Sequence, residues 1–183
     1  MKIQFPNIAI VGTGAMGRGI AQIAAQAGSQ VFLLDANPGA ADAARAALQE
    51  QWNKLVTKGR IEADQATALT ARLHPVTTVA ELAACDLVLE AIVERLDAKQ
   101  ALFVELEGVV RADAVLATNT SSLSVTAIGA SLKHPERLAG FHFFNPVPLM
   151  KVVEVIAGLK TDPSICTALA AYAKAMGLSL IHI

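Results

Sequence analysis

Residues 8–28 read IAIVGTGAMGRGIAQIAAQAG. An apolar run is followed by glycines at positions 12, 14 and 17, and then by apolar residues at helical spacing up to Gly28. This order predicts a buried strand, a glycine-rich turn and a helix, the opening unit of a dinucleotide-binding fold. The first glycine permits a tight turn, the second lets a pyrophosphate approach the backbone, and the third lets the helix pack closely on the strand. Free amides of the first helical turn would bind the phosphates, so the predicted cofactor contacts are Gly12, Gly14, Ala15, Met16 and Gly17.

A second predicted strand, residues 30–34, ends in Asp35. An acidic residue about 20 residues beyond such glycines can hydrogen-bond both hydroxyls of a ribose and repels a 2′-phosphate. The two residues that follow, Ala36 and Asn37, provide no arginine that could hold such a phosphate. We therefore predict NAD rather than NADP as the cofactor. Capping of a helix that starts near Pro38 is the alternative role of Asp35, and the complete strand-helix-strand frame argues against it.

Helical and extended patterns alternate along the rest of the chain. Residues 38–72 are helical with a break at Lys58 and Gly59, which predicts a helical hairpin inserted after the second strand. Further strands are predicted near residues 75–76, at 86–90 and at 114–118. The predicted fold class is therefore α/β: a Rossmann-type, doubly wound, mostly parallel sheet with strand order 3-2-1-4-5-6 and antiparallel final strands.

Strand carboxyl ends in open α/β sheets face the ligand. The polar residues that follow the fourth and fifth predicted strands should therefore lie on the same edge as the glycine loop, and they are Glu90, Glu94, Asn119, Thr120, Ser121 and Ser122. Among them we predict Asn119 and Ser121 as cofactor contacts. Helix capping is the alternative role for Ser122 or Ser124.

The segment FHFFNPVPLMKVVEVI, residues 141–156, has two apolar arms around a proline-rich bend. If the arms fold back about Pro148, His142 and Glu154 lie opposite each other, because both are equally far from Pro148. Opposed residues on antiparallel strands have Cβ atoms about 5 Å apart, which lets the carboxylate bond a ring nitrogen and fix the tautomer of the imidazole. His142 is therefore a candidate general base oriented by Glu154. The alternative is an ordinary cross-strand ion pair in a surface hairpin.

The composition limits the partners. With 15 basic and 16 acidic residues the chain offers no excess charge to a polyanion, so nucleic acid is not expected as a partner. No stretch approaches the ~18 apolar residues of a membrane span, and the first apolar run is too short for a signal peptide. Cys85 and Cys166 match no metal or redox spacing, so we predict no metal, buried free thiols and a reducing, cytoplasmic location.

With these features the chain resembles the NAD-dependent L-3-hydroxyacyl-CoA dehydrogenases. The resemblance spans residues 8–177 and is carried, in order, by GTGAMG, Asp35, LVLEAIVERLDAK, ATNTSSL and GFHFFNPVPLMKVVEVI. HFFNPVP followed by EVI is its specific part, whereas the glycine loop is shared widely. The resemblance implies an oxidoreductase of fatty acid metabolism, EC class 1.1.1, that converts (S)-3-hydroxyacyl-CoA and NAD reversibly to 3-oxoacyl-CoA and NADH.

The resemblance also implies roles for individual residues. The histidine that matches His142 abstracts the hydroxyl proton, the glutamate that matches Glu154 orients it, and the serine that matches Ser121 contacts the substrate oxygen and the cofactor. The residues that match Glu94, Lys99 and Asn145 lie along the cofactor. A lysine of the helical hairpin, most nearly Lys58 here, is expected near coenzyme A.

The family continues into an all-helical domain that completes the acyl pocket and dimerises. We expect residues 1–183 to be the NAD-binding Rossmann domain, with that C-terminal helical dimerisation domain absent. Turnover should then be impaired more than cofactor binding, and exposed apolar surface predicts homo-oligomerisation. Two other functions stay open: an NAD-binding module without turnover, and a related hydroxyacid or sugar-acid dehydrogenase with a lysine base, for which Lys99 and Lys151 are available.

Overall fold

Eight strands form one sheet in the computed structural model, which describes residues 4–182. The strands are β1 (Asn7–Val11), β2 (Gln30–Leu34), β3 (Leu73–Pro75), β4 (Leu87–Glu90), β5 (Val115–Thr118), β6 (Leu138–Phe143), β7 (Val152–Ala157) and β8 (Ser179–His182). The helices are α1 (Ala15–Ala27), α2 (Ala40–Thr57), α3 (Ala63–Ala71), α4 (Leu96–Val109), α5 (Val125–Gly129) and α6 (Pro163–Ala175). The strand order is β3-β2-β1-β4-β5-β6-β7-β8, which confirms the predicted order 3-2-1-4-5-6.

Strands β1 to β6 pair in parallel, whereas β7 pairs antiparallel with β6. Strand β8 is parallel to β7, so the last two strands both run against the others, as predicted. The chain passes from β3 at one edge back to β4 beside the central β1, and this change of direction is the switch point where open α/β sheets bind ligands.

Both faces of the sheet are covered by helices. Ile8 and Ile10 of β1 point into one core with Trp52 of α2, and Ala9 of β1 points into a second core with Phe103 of α4. The apolar run at the start of the chain therefore reflects a strand that is buried on both sides, as expected for a parallel sheet. Among residues 4–182, no helix combines the length and the apolar character that a membrane crossing requires.

Element boundaries agree with the sequence prediction at most positions. The helical hairpin follows β2, and its two helices are separated by residues 58–62, which include the predicted break. Strand β3 begins two residues earlier than predicted, since its three residues are fixed by pairing with Val31–Leu33 of β2 rather than by an apolar pattern of their own. Cys85 is buried as expected, but Cys166 is only half-buried on α6, so the prediction of two buried thiols is wrong for Cys166.

Candidate active site

A groove runs along the sheet edge at which the parallel strands end. Arg18 and Asp35 line its first part, Asp35 and Ile92 line its middle part, and Ile92 and His142 line its last part. Because Asp35 and Ile92 are each shared by two adjoining parts, the three cavities form a continuous path from the end of β2 to the end of β6. An extended dinucleotide requires a path of this kind across the switch point.

The three glycines of the loop are needed for different reasons, two for the fold and one for a ligand. Gly12 has φ 94°, and a Cβ atom at this position would lie 2.6 Å from the carbonyl oxygen of Ala91. A Cβ atom at Gly17 would lie 1.8 Å from the carbonyl oxygen of Gly12. At Gly14, by contrast, a Cβ atom would meet nothing within 4 Å. The protein itself thus requires Gly12 and Gly17, while the open space at Gly14 fits the approach of a pyrophosphate to the first turn of α1.

The Asp35 carboxylate is already held by its neighbours. Its Oδ2 atom accepts hydrogen bonds from the Thr13 amide at 2.7 Å and the Thr13 hydroxyl at 2.8 Å, and its Oδ1 atom accepts one from the Asn37 amide at 2.9 Å. Burial raises the pKa of Asp35, but these bonds together lower it below its ordinary value. Asp35 is therefore an anion at neutral pH, placed to accept from ribose hydroxyls and to repel a 2′-phosphate.

Arg18 lines the same cavity as Asp35, which the sequence analysis did not anticipate. The two residues that follow Asp35 provide no arginine, as predicted, whereas Arg18 comes from α1 and is close to Asp35 only in space. An arginine is therefore present in this cavity although none is adjacent to Asp35 in sequence. Selection against a 2′-phosphate must come from the charge of Asp35 itself.

His142 and Glu154 face each other across the β6–β7 pair. Their Cα atoms are partners in the register, and the Nδ1 atom of His142 lies 2.8 Å from the Oε2 atom of Glu154. The side chains are 15% and 20% exposed, so the pair is mostly shielded from water. The Phe144 ring lies against the imidazole with ring centroids 4.7 Å apart. The arms on either side of the proline-rich bend thus place the imidazole and carboxylate together as the sequence predicts.

This contact determines which nitrogen of His142 is available. An ionised carboxylate only accepts hydrogen bonds, so Nδ1 must be the donor in its contact with Glu154. In the neutral imidazole the other nitrogen, Nε2, then carries the free lone pair. His142 can accept a proton at Nε2 while Glu154 holds the ring in place.

The last part of the groove is a cavity of about 330 Å³, which lies at the lower end of the usual range of ligand pockets. It is lined by Met16, Ala91, Ile92, Glu94, Lys99, Asn119, Ser121, His142, Phe143, Phe144 and Asn145. Only Ala91, Ile92, Phe143 and Phe144 are absent from the contacts that the sequence predicts. Residues from four separate segments of the chain are thus brought together around one cavity.

Two predicted residues occupy other places. Ala15 is the exposed first residue of α1, next to the open space at Gly14. Lys58 is exposed at the C-terminal end of α2 and is not among the described residues that line the three cavities. A ligand that contacts both Lys58 and His142 would therefore extend beyond the groove.

Asn119 and Glu94 organise the backbone around the cavity. The Asn119 side-chain oxygen accepts a hydrogen bond from the Phe143 amide at 2.9 Å, which ties the end of β5 to the end of β6 beside His142. The Oε1 atom of Glu94 accepts hydrogen bonds from the amides of Ser121 at 3.0 Å and Ser122 at 3.2 Å. Glu94 thereby fixes the loop that carries the Ser121 hydroxyl.

Burial is the largest influence on the pKa of Glu94 and raises it. Hydrogen bonds from the Thr120 hydroxyl, Lys99 and the Ser121 amide outweigh burial and lower that pKa to about 2. Glu94 is consequently an anion at any pH near neutrality. The cavity wall thus carries a negative charge that also holds the serine loop.

Gly19 of α1 makes a further contact that the sequence analysis missed. A Cβ atom at Gly19 would lie 2.8 Å from the Cβ atom of Val147, in the bend between β6 and β7. The bend therefore rests directly on the helix that follows the glycine loop. Gly19 lies outside the three-glycine pattern, and its partner is more than a hundred residues further along, so no local signal could identify it.

Comparison with known proteins agrees with this geometry. Residues 7–183 match the model of a family described as 3-hydroxyacyl-CoA dehydrogenase, NAD binding domain. A 3-hydroxyadipyl-CoA dehydrogenase from Escherichia coli (strain K12) is 48% identical over 161 residues, which are 88% of this chain and 34% of that protein. A 3-hydroxybutyryl-CoA dehydrogenase from Clostridioides difficile is 42% identical over 156 residues, which are 85% of this chain and 56% of that protein.

Solved structures show the same relationship. The crystal structure of 3-hydroxybutyryl-CoA dehydrogenase from Escherichia coli K12 matches all of this chain with a TM-score of 0.94 and 43% identity, over 38% of its own length. That of (S)-3-hydroxybutyryl-CoA dehydrogenase from Ralstonia eutropha matches 98% of this chain with a TM-score of 0.93 and 34% identity, over 63% of its length. The chain thus spans between about a third and two thirds of these relatives.

Proposed function

The chain belongs to the 3-hydroxyacyl-CoA dehydrogenase family through its NAD binding domain, and we propose that it takes part in the reversible oxidation of (S)-3-hydroxyacyl-CoA to 3-oxoacyl-CoA. NAD is the cofactor of this family domain. The groove, the open space at Gly14 and the anionic Asp35 fit NAD. The Escherichia coli and Clostridioides difficile relatives named above act on 3-hydroxyacyl-CoA compounds according to their names, which supports the substrate class.

One observation carries this proposal. A histidine whose Nδ1 atom lies 2.8 Å from a carboxylate lines the same cavity as Ser121, at the end of the cofactor groove. Oxidation of a secondary alcohol requires removal of the hydroxyl proton and transfer of a hydride from carbon. The nicotinamide of bound NAD supplies the hydride acceptor.

The side chains of the protein supply the rest of the chemistry. His142 accepts the hydroxyl proton of the substrate at Nε2, since Nδ1 donates to Glu154. The negative charge of Glu154 stabilises the imidazolium that forms. In the reverse direction the protonated His142 returns the proton to the 3-oxo oxygen.

Ser121 completes the site as a hydrogen-bond donor to the substrate oxygen. Its loop is held by Glu94, so the hydroxyl is presented without a reorganisation cost at each turnover. Removal of one such donor typically costs ~3 kcal/mol of transition-state stabilisation. Ser121→Ala should therefore lower kcat by about two orders of magnitude, a larger effect than its effect on affinity.

The coenzyme A portion of the substrate would extend from the cavity towards the exposed end of α2, where Lys58 can pair with a phosphate. Acyl selection depends on surfaces outside this groove. We propose that residues 1–183 act as the NAD-binding domain, with the acyl pocket completed by a helical domain of the kind found in the family. Partner copies could associate through exposed apolar side chains such as Leu149, which is 74% exposed.

The proposal is tested by NADH oxidation with acetoacetyl-CoA in the wild-type chain, His142→Gln and Glu154→Gln. Loss of the general base should lower kcat by ~10²- to 10⁴-fold in His142→Gln while NADH binding stays within about threefold. His134→Gln is the matched control, because His134 pairs with Glu136 at 3.0 Å on an exposed surface. Equal activity losses in His142→Gln and His134→Gln would contradict the assigned base.

The same assay separates the other functions. A wild-type chain that binds NADH but does not turn over acetoacetyl-CoA would be an NAD-binding module in isolation. Activity confined to free hydroxyacids would instead indicate a hydroxyacid or sugar-acid dehydrogenase.

A further inference from the structure

Glu90, the last residue of β4, is a charged side chain that the proposed reaction does not use. Its carboxylate is 0% exposed and is not among the described residues lining the cavity beside His142. The Oε1 atom accepts hydrogen bonds from the Lys99 ammonium at 2.5 Å and the Ile92 amide at 2.7 Å. The Oε2 atom accepts one from the Thr118 hydroxyl at 2.7 Å. Glu90 is thus a buried anion with its acceptor atoms engaged by protein donors.

Lys99 connects Glu90 to the cavity wall. Its side chain is 1% exposed, and its ammonium contacts both Glu90 and the Oε2 atom of Glu94 at 3.2 Å. The three side chains carry two negative charges and one positive charge, a net charge of −1. A buried ion pair alone would be electrostatically neutral, so the second carboxylate, Glu94, gives the cluster an uncompensated negative charge at the cavity wall, where its side chain is 38% exposed.

We propose that Glu90, acting through Lys99 and Glu94, makes the cavity beside His142 prefer the oxidised cofactor over the reduced one. The inference rests on the proposed function, in which the nicotinamide occupies this cavity. The nicotinamide ring is positively charged in NAD⁺ and neutral in NADH, so a fixed negative cluster stabilises only the oxidised ring. The cluster can favour NAD⁺ over NADH only if it interacts differently with the two, and the charge of the nicotinamide ring provides that difference.

The test is a comparison of NAD⁺ and NADH dissociation constants in the wild-type chain and Glu90→Gln. NADH is titrated by its fluorescence, and NAD⁺ by calorimetry. Glutamine keeps the shape of the side chain but removes one negative charge, so the cluster becomes neutral. We expect the ratio of Kd for NAD⁺ to Kd for NADH to rise about three- to tenfold, almost entirely through weaker NAD⁺ binding.

Thr118→Val is the matched control. It removes a hydrogen bond to the same Glu90 carboxylate without any change of charge. A merely structural role for Glu90 predicts that both variants weaken NAD⁺ and NADH binding in parallel. The charge proposal predicts that the ratio of dissociation constants changes in Glu90→Gln alone.

A change of charge in the other direction keeps the test decisive if Glu90→Gln does not fold. Lys99→Met removes the positive charge and leaves the cluster with a net charge of −2, so the ratio of Kd for NAD⁺ to Kd for NADH should fall below the wild-type value. An unchanged ratio in Glu90→Gln, an unchanged or higher ratio in Lys99→Met, or an equal change in Thr118→Val would overturn the inference. Absence of NAD⁺ and NADH binding in the wild-type chain would instead count against the proposed function.

Discussion

Replacement of Gly14 by alanine should separate folding from cofactor binding. Gly14 has φ −63° and ψ −165°, a conformation open to any residue, and an added Cβ atom meets no protein atom within 4 Å. Loss of unfolded-state freedom favours alanine by ~0.4–1 kcal/mol. Glycine is the better residue at a helix N-cap by a similar ~0.5–1 kcal/mol. The two effects nearly cancel, so the free energy of unfolding should change by less than about 1 kcal/mol.

Cofactor affinity should respond differently, because the methyl group occupies the space through which a pyrophosphate reaches the backbone. Overpacking by one methyl group costs ~1–3 kcal/mol, which corresponds to an increase in Kd of roughly 5- to 150-fold. Gly17→Ala provides the contrast. Its Cβ atom would lie 1.8 Å from the Gly12 carbonyl oxygen, so the loop itself must move, and we expect a loss of at least ~3 kcal/mol in stability.

Urea denaturation of both variants gives the stability, and fluorescence titration with NADH gives the affinity. The expected outcome is a Gly14→Ala variant of wild-type stability and weak NADH binding, beside a destabilised Gly17→Ala variant. Wild-type NADH affinity in Gly14→Ala would refute the assignment of the open space at Gly14 to the pyrophosphate.

Three further predictions concern charged groups. The pKa of Glu94 is lowered from 4.5 to about 2 on folding, so its contribution to stability is complete above pH ~5 and is lost as the pH falls from about 4.5 to about 2. Acid unfolding of Glu94→Gln should accordingly show a weaker pH dependence over that interval than the wild type, and an identical profile would contradict a lowered pKa of Glu94. Asp35→Ser should raise the affinity for NADPH, measured by calorimetry, roughly tenfold. The double variant Asp35→Ser with Arg18→Ala should bind NADPH as weakly as the wild type does. An increased NADPH affinity in the double variant would exclude Arg18 as a phosphate ligand. Lys58→Ala should weaken acetoacetyl-CoA binding about two- to fivefold, the effect expected of an exposed ion pair, and should leave NADH binding unchanged. Lys54→Ala is the control and should leave acetoacetyl-CoA binding unchanged, because Lys54 already pairs with Glu50 at 2.7 Å.

The fold could be predicted because its signals are local. The glycine loop, the residues before Asp35 and the apolar run at residues 87–89 each have a periodicity or a turn residue that identifies the element. The position of Pro148 between two apolar arms was sufficient to predict the register of β6 and β7, since antiparallel pairing about a bend fixes which residues face each other. Strand β3 was placed less well because a three-residue edge strand has no periodicity.

The site could be predicted only in part, because contacts between elements depend on packing. The sequence predicts that Glu90, Glu94 and Lys99 lie near one edge of the sheet, but it does not predict which of these charged groups contact each other. These contacts arise because Lys99 of α4 lies between the two carboxylates. Arg18 and Asp35 likewise share a cavity through the packing of α1 beside the end of β2.

The direct contact between Gly19 and Val147 has a consequence for protein engineering. Gly19 contributes no side chain to this contact, so the distance between the helix and the bend is set by the helix backbone on one side and the Val147 side chain on the other. A histidine arm transplanted onto another dinucleotide-binding scaffold would need glycine at the start of the second turn of the recipient's first helix. With any larger residue there, the bend would be displaced from the helix and the grafted histidine would lose its position in the cavity at the end of the groove.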